Sequence, residues 1–109
     1  MANIYRNAKV DFTTTDNTTV YTVPSNSRAI IKGILVSDDS GSGDSINVTL
    51  TDASAAVFSL FKTKAVSANA TEELITQPII LQESEILKAQ ATTAGRLHMV
   101  ASLLEINRD

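Results

Sequence analysis

The residues that could do chemistry are few and badly spaced for it. The chain of 109 residues has one histidine, His98, set between Leu97 and Met99, and no cysteine. A Ser-His-Asp hydrolase needs its base held by a carboxylate and turned towards a serine. A lone histidine in an apolar run is expected to be a packed or exposed strand residue instead. One histidine without cysteine is also a poor transition-metal set. The missing cysteines exclude a disulfide framework, a thiolate zinc site and a cysteine nucleophile. Asp38, Asp39 and Asp44 flank a glycine-containing loop and could offer oxygens to calcium. Known calcium loops alternate their acids ahead of a glycine and add a distal glutamate, whereas these acids are adjacent and then five apart. A solvated hairpin loop is the expectation. Glu83 and Glu85 would share a face on a strand, as paired carboxylates do in glycosidases. Between Leu81 and Ile86 they are expected to be exposed turn charges. The loop DDSGSGD has no lysine and would repel phosphate. No catalytic residue, metal or cofactor is therefore expected.

Composition narrows the class further. The length suits one domain, 1–109, with 43% hydrophobic and only 5% aromatic residues, so an aliphatic core is expected. Thr, Val and Ile are abundant and favour sheets. The formal net charge is −3, so neutralisation of nucleic-acid phosphates is not expected. No run approaches the ~20 apolar residues of a membrane span, and MANIYRNAKVDF lacks the apolar centre of a secretory signal. The triplets at Asn17, Asn47 and Asn69 match the glycosylation pattern, but arise readily in a chain this rich in Asn and Thr.

The elements that would position these residues read as strands. Thr19 to Ser37 gives a short strand, a turn at Pro24-Ser25-Asn26-Ser27, and a longer strand from Ala29 that is apolar on both faces. Such a strand is expected at the centre of an assembly, covered on both sides. Met1 to about Lys9 reads as a polar arm, and Ile4, Ala8, Val10 and Phe12 fall on alternate positions, which suggests a strand. Ile46, Val48 and Leu50 alternate with polar residues. Ala56 to Phe61 starts the next strand, and Ala65 to Thr71 is too short and polar for a helix. Glu72 to Leu81 is interrupted by Pro78, which points to an edge or a break. Ile86 to Ala91 and Leu97 to Ile106 close the series, the last again apolar on both faces. Roughly eight strands spaced at about 8–12 residues predict an all-β antiparallel sandwich, jelly-roll or immunoglobulin-like.

Four pieces carry a resemblance: VYTVPSNSRAIIKGILVSD, INVTLTDASAAVFSLFKTKAV, LITQPIILQESEILKAQA and LHMVASLLEI. Together they resemble small β-sandwich virion proteins of tailed bacteriophages, especially cyanophage-like ones. Family members often carry Gly-Asp where this chain has Ser84-Glu85. The resemblance implies a non-enzymatic particle subunit made in the host cytoplasm. Its expected partners are other virion subunits, with the major capsid protein favoured, and copies of itself, with a trimer favoured. A stand-alone domain without a coiled-coil segment favours capsid decoration; a tail, baseplate or fibre position is the alternative. A carbohydrate-binding module is disfavoured because there is no Trp and only Tyr5 and Tyr21 as tyrosines. The N-terminal arm is expected to order on a partner by strand addition, with Ile4, Tyr5, Arg6, Val10 and Phe12 as partner-binding residues. Surplus apolar residues on the two-faced strands are expected in a subunit interface.

Overall fold

The computed structural model describes residues 2–108. Every regular element among them is a strand: β1 (Ala2–Asp11), β2 (Thr18–Thr22), β3 (Ser27–Asp38), β4 (Asp44–Thr51), β5 (Val57–Val66), β6 (Thr71–Glu73), β7 (Ile79–Leu81), β8 (Ile86–Ala91) and β9 (Leu97–Asn107). They form two antiparallel sheets packed as a sandwich. One is five-stranded, in the order β1-β9-β3, with β6 and β7 both on the far side of β3; the other runs β2-β8-β4-β5.

The pairing is nested. β1 pairs with β9, β2 with β8, β3 with β6 and β7, and β4 with β5. The chain is thus one long doubled ribbon with its tip at the β4–β5 turn. Rolling that ribbon creates the β3–β9 and β4–β8 seams. This is the jelly-roll winding, which decides between the two sandwich types that the strand spacing left open. β6 and β7 act as one strand interrupted between Leu74 and Pro78, so the proline marks both an edge and a break. Leu74 and Ile75 turn into the core there, and the Leu74 N–H still donates to the Ile34 carbonyl.

The core is aliphatic, as the composition implies. Ile31, Ile34 and Val36 of β3 and Leu97, Met99 and Leu103 of β9 face Ile46 and Val48 of β4 and Leu87 of β8. Phe12 is the one fully buried aromatic side chain among the described residues. Two expectations need correction. β3 and β9 are adjacent and central in their sheet, but each is covered on one face only; their burial alternates along the strand. The other face points away from the four-stranded sheet, and none of the described residues lies over it. The second correction concerns the segment expected as an N-terminal arm. Residues 2–9 belong to β1 and pair with β9 without a register shift; Met1 lies outside the described residues.

The loop from Asp38 to Asp44 is folded upon itself. The Asp38 carboxylate accepts from the Ser40 N–H at 2.7 Å, the Ser40 hydroxyl at 2.6 Å and the Gly43 N–H. Gly41 and Gly43 sit at φ of 80° and 76°, the left-handed region that glycine adopts without strain. The solvated loop is therefore pinned by one aspartate.

Candidate interaction surface

Register places the side chains of each sheet on one face or the other, because residues directly opposite share a face. On the five-stranded sheet, Ile4, Ala8 and Val10 of β1 lie on the same side as Ala101 and Met99 of β9, towards the core. Asn3, Tyr5, Asn7, Lys9 and Asp11 point outwards with Ile106, Leu104, Ser102, Val100 and His98. Continuing across β3 and β7 gives an outward row Tyr5–Leu104–Ile30–Ile80 that spans four strands. A second row, Lys9–Val100–Leu35–Glu73, runs parallel to it and ends in opposite charges. Tyr5 is 75% exposed, Ile80 62%, Leu35 46% and Val100 38%. Between the rows lies a shallow depression lined by Tyr5, Asn7, Lys32 and Ser102. The Lys32 ammonium stands 5.8 Å from the centre of the Tyr5 ring, within cation–π range.

The outward face of the four-stranded sheet has a different composition. Its rows are Thr19–Lys88–Thr49–Ser59 and Thr22–Ile86–Thr51–Val57. Hydroxyl-bearing residues dominate, and the exposed Val57 lies at the sheet edge. The subunit therefore has one apolar and one polar outward face.

The five residues expected to bind a partner separate under this geometry. Tyr5 is on the apolar outward face. Ile4, 39% exposed, and the half-buried Val10 point towards the core side at the sheet edge. Phe12 is 1% exposed and belongs to the core. Its expected partner role is corrected, because the ring has no surface to offer in the folded subunit. Arg6 turns inwards, where its Nε donates to Glu105 Oε2 at 2.5 Å. Glu105 is almost fully covered, while the Arg6 side chain is half exposed. Tyr21, reaching across from β2, sits beside this pair. Its hydroxyl is buried close to Glu105 without an aligned hydrogen bond. Burial first, and then the charge of Glu105, push Tyr21 up to about 12, with Arg6 acting the other way. The Arg6–Glu105 pair thus joins β1 to β9 within one sheet, and Tyr21 from the other sheet packs beside it.

The candidates for chemistry have structural tasks. Asp38 is held below the usual carboxylate range, first by the Ser40 hydroxyl and then by backbone N–H groups of its loop, against the opposing pull of desolvation. Asp44 accepts from the Thr93 N–H at 2.8 Å. Glu85 accepts from the Gln82 N–H at 2.7 Å and closes its turn, where Ser84 takes a φ of 69°. That is a glycine-favouring backbone at the position where the resembling proteins often have Gly. His98 lies on the outward face, with Nε2 3.2 Å from Asp11 and Nδ1 3.6 Å from Asp39. Among the described residues no three His, Cys, Asp or Glu side chains converge on a metal-sized site.

Ile30, Leu104 and Ile80 are the residues of the apolar row that strand reading reached least directly. Their signal is the run of adjacent apolar residues. A strand with apolar side chains at consecutive positions, such as Ile79-Ile80-Leu81, must turn one of them away from the core.

No family model matches the chain, and no curated protein matches it. Solved structures do. A chain from the acidic stable capsid structure of Helicobacter pylori bacteriophage KHP30 superposes with a TM-score of 0.60 at 10% identity, over 97% of this chain and 89% of that one. A chain from Bacillus endospore appendages, described as a family of disulfide-linked pili, gives 0.58 at 11% identity, over 98% and 89%. A chain from the Gx strain of infectious bursal disease virus gives 0.51 at 16% identity, covering 97% of this chain and 29% of that one. At these identities the likeness is one of fold.

Proposed function

We propose that this chain is a structural subunit of a virus particle of the tailed-bacteriophage kind, a decoration subunit seated on the major capsid protein of the head. The observation that carries the proposal is the asymmetry of the outward faces. An apolar row across four strands is unusual for a face left in water, and such patches mark contact surfaces. The exposed side chains of Tyr5, Leu35, Ile80 and Val100, rimmed by Lys9 and Glu73, have the apolar centre and charged margin of a subunit interface. The Thr- and Ser-rich opposite face then remains towards solvent.

The jelly-roll fold shared with a chain of a bacteriophage capsid structure supports a virion role, as do the four sequence pieces that resemble phage virion proteins. The pilus structure shares the fold equally well, but its disulfide linkage has no counterpart in a chain without cysteine. A non-enzymatic role accords with the structural tasks of Asp38, Asp44, Glu85 and Glu105.

The test is quantitative protein analysis of separated heads and tails from purified particles. Decoration predicts the chain in the head fraction at high copy number, and a trimeric grouping predicts a number divisible by three. A few copies confined to tails would place it in the baseplate or a fibre. Absence from both fractions would overturn the virion reading.

A further inference from the structure

We infer that two copies of this chain pair edge to edge through β1, antiparallel, with Asn7 facing its own copy across the two-fold axis. The inference goes beyond the particle role and does not depend on it, since it concerns the isolated chain. It uses the strand's edge and leaves Leu35, Ile80 and Val100 of the outward apolar face free.

β1 presents the one long, regular edge among the described strands. An exposed strand edge offers a row of backbone N–H and C=O groups to any matching strand, and proteins blunt such edges with short strands, bulges, prolines or unpaired charges. β2 is five residues long and shifts register between Thr19 and Tyr21. β5 shifts register twice against β4 and bends through Thr63 at a φ of 54°. β6 and β7 are three residues each, separated by the proline segment. β1 alone is long and regular, running ten residues against β9 with no shift and no proline. Its inward charge, Arg6, is neutralised by Glu105, and its outward charges Lys9 and Asp11 find partners in Tyr5 and Asn3 of the second copy.

The opposed side chains are complementary. With Asn7 opposite Asn7, Tyr5 faces Lys9 and Asn3 faces Asp11 on the outward side. On the core side Ile4 faces Val10 and Arg6 faces Ala8. Each pair occurs twice by symmetry. A cation meets an aromatic ring, an aliphatic meets an aliphatic, and no like charges are opposed. Moving the register by two residues in one direction sets Arg6 against Arg6. Moving it the other way sets Val10 against Arg6 and shortens the paired stretch. The chosen register also covers Ile4 and Tyr5, the two exposed large hydrophobic residues of this strand.

The absence of cysteine makes the register directly testable. Opposed residues in an antiparallel ladder have Cα atoms about 4.5–5.5 Å apart, inside the span that a disulfide bridges. Asn7→Cys is therefore expected to form a disulfide dimer under mild oxidation much faster than Ser59→Cys on the opposite sheet. Asn3→Cys and Lys9→Cys alone should not, whereas Tyr5→Cys mixed with Lys9→Cys should give the mixed dimer. Without oxidant, sedimentation should show concentration-dependent dimers, and Asn7→Lys should weaken them by about fivefold or more. Equal rates for Asn7→Cys and Ser59→Cys would overturn the register. A wild-type chain that sediments as a monomer at every concentration would overturn the pairing itself.

Discussion

The Arg6–Glu105 pair should behave as an energetic clamp between β1 and β9 of the five-stranded sheet, and a double-mutant cycle measures it. The perturbations are Arg6→Met, Glu105→Leu and both together. A hydrogen bond to a charged group contributes about 1.5–3 kcal/mol when water is excluded, and a fully exposed ion pair about 0.2–1 kcal/mol. Glu105 has 6% of its side chain exposed and Arg6 51%, so the pair lies between these limits. A coupling of about 1–2 kcal/mol follows. Arg6→Met alone leaves a covered carboxylate without its cation, beside the Tyr21 hydroxyl. It should cost about 2 kcal/mol, or a fall in Tm of roughly 10 °C for a domain of this size. The double variant should recover part of that loss, because replacing both partners with apolar groups removes the unpaired charge. The assay is urea unfolding of the four proteins, read as midpoint and slope. Single-variant effects that add to within about 0.3–0.5 kcal/mol would refute the clamp.

Other outcomes follow from particular residues. Phe12→Ala should destabilise by about 3–5 kcal/mol in thermal unfolding, since the ring fills the core; a near-neutral change would restore it as a surface residue. Asp38 has a depressed pKa in the folded state, so its contribution to stability is present above the unfolded value near about 4 and is lost as pH falls through the folded value. Acid unfolding should therefore penalise the wild type more steeply than Asp38→Asn, and parallel curves would count against the loop anchor. Tyr21 has the opposite sign: its folded pKa is raised, so its contribution is full below about 10 and lost as pH rises to about 12. In a Tyr5→Phe background, phenolate absorbance should give a midpoint of about 12 in the folded protein and near 10 in urea.

Strand positions were legible because alternation and turn residues are local signals. Ile86–Ala91 coincides with β8, and Leu97–Ile106 falls one residue short of β9. The break at Pro78 was equally legible, since a missing N–H acts at its own position. The nested winding was not, because β1 and β9 pair across nearly the whole chain and no local pattern encodes that closure. The same blindness explains Phe12 and Arg6. Their side-chain types suggest surface or core, but only the register against β9 and the approach of Tyr21 from the other sheet decide it. The apolar surplus of the Ala29 and Leu97 strands could be read as burial on two sides. Packing of the four-stranded sheet on one side only leaves the surplus as an open face, with Ile80 joining it through β7.

The central claim is that this open face is the seat on the particle. Leu35 is exposed at its middle and can be charged without touching the core. Particles should therefore be purified from infections in which Leu35→Lys or Ser59→Lys replaces the wild-type chain, and the bound chain quantified by mass. The account predicts that Leu35→Lys is lost from particles while Ser59→Lys stays at wild-type copy number, with both variants unfolding at the wild-type midpoint. Leu35→Lys incorporated at full copy number would contradict it.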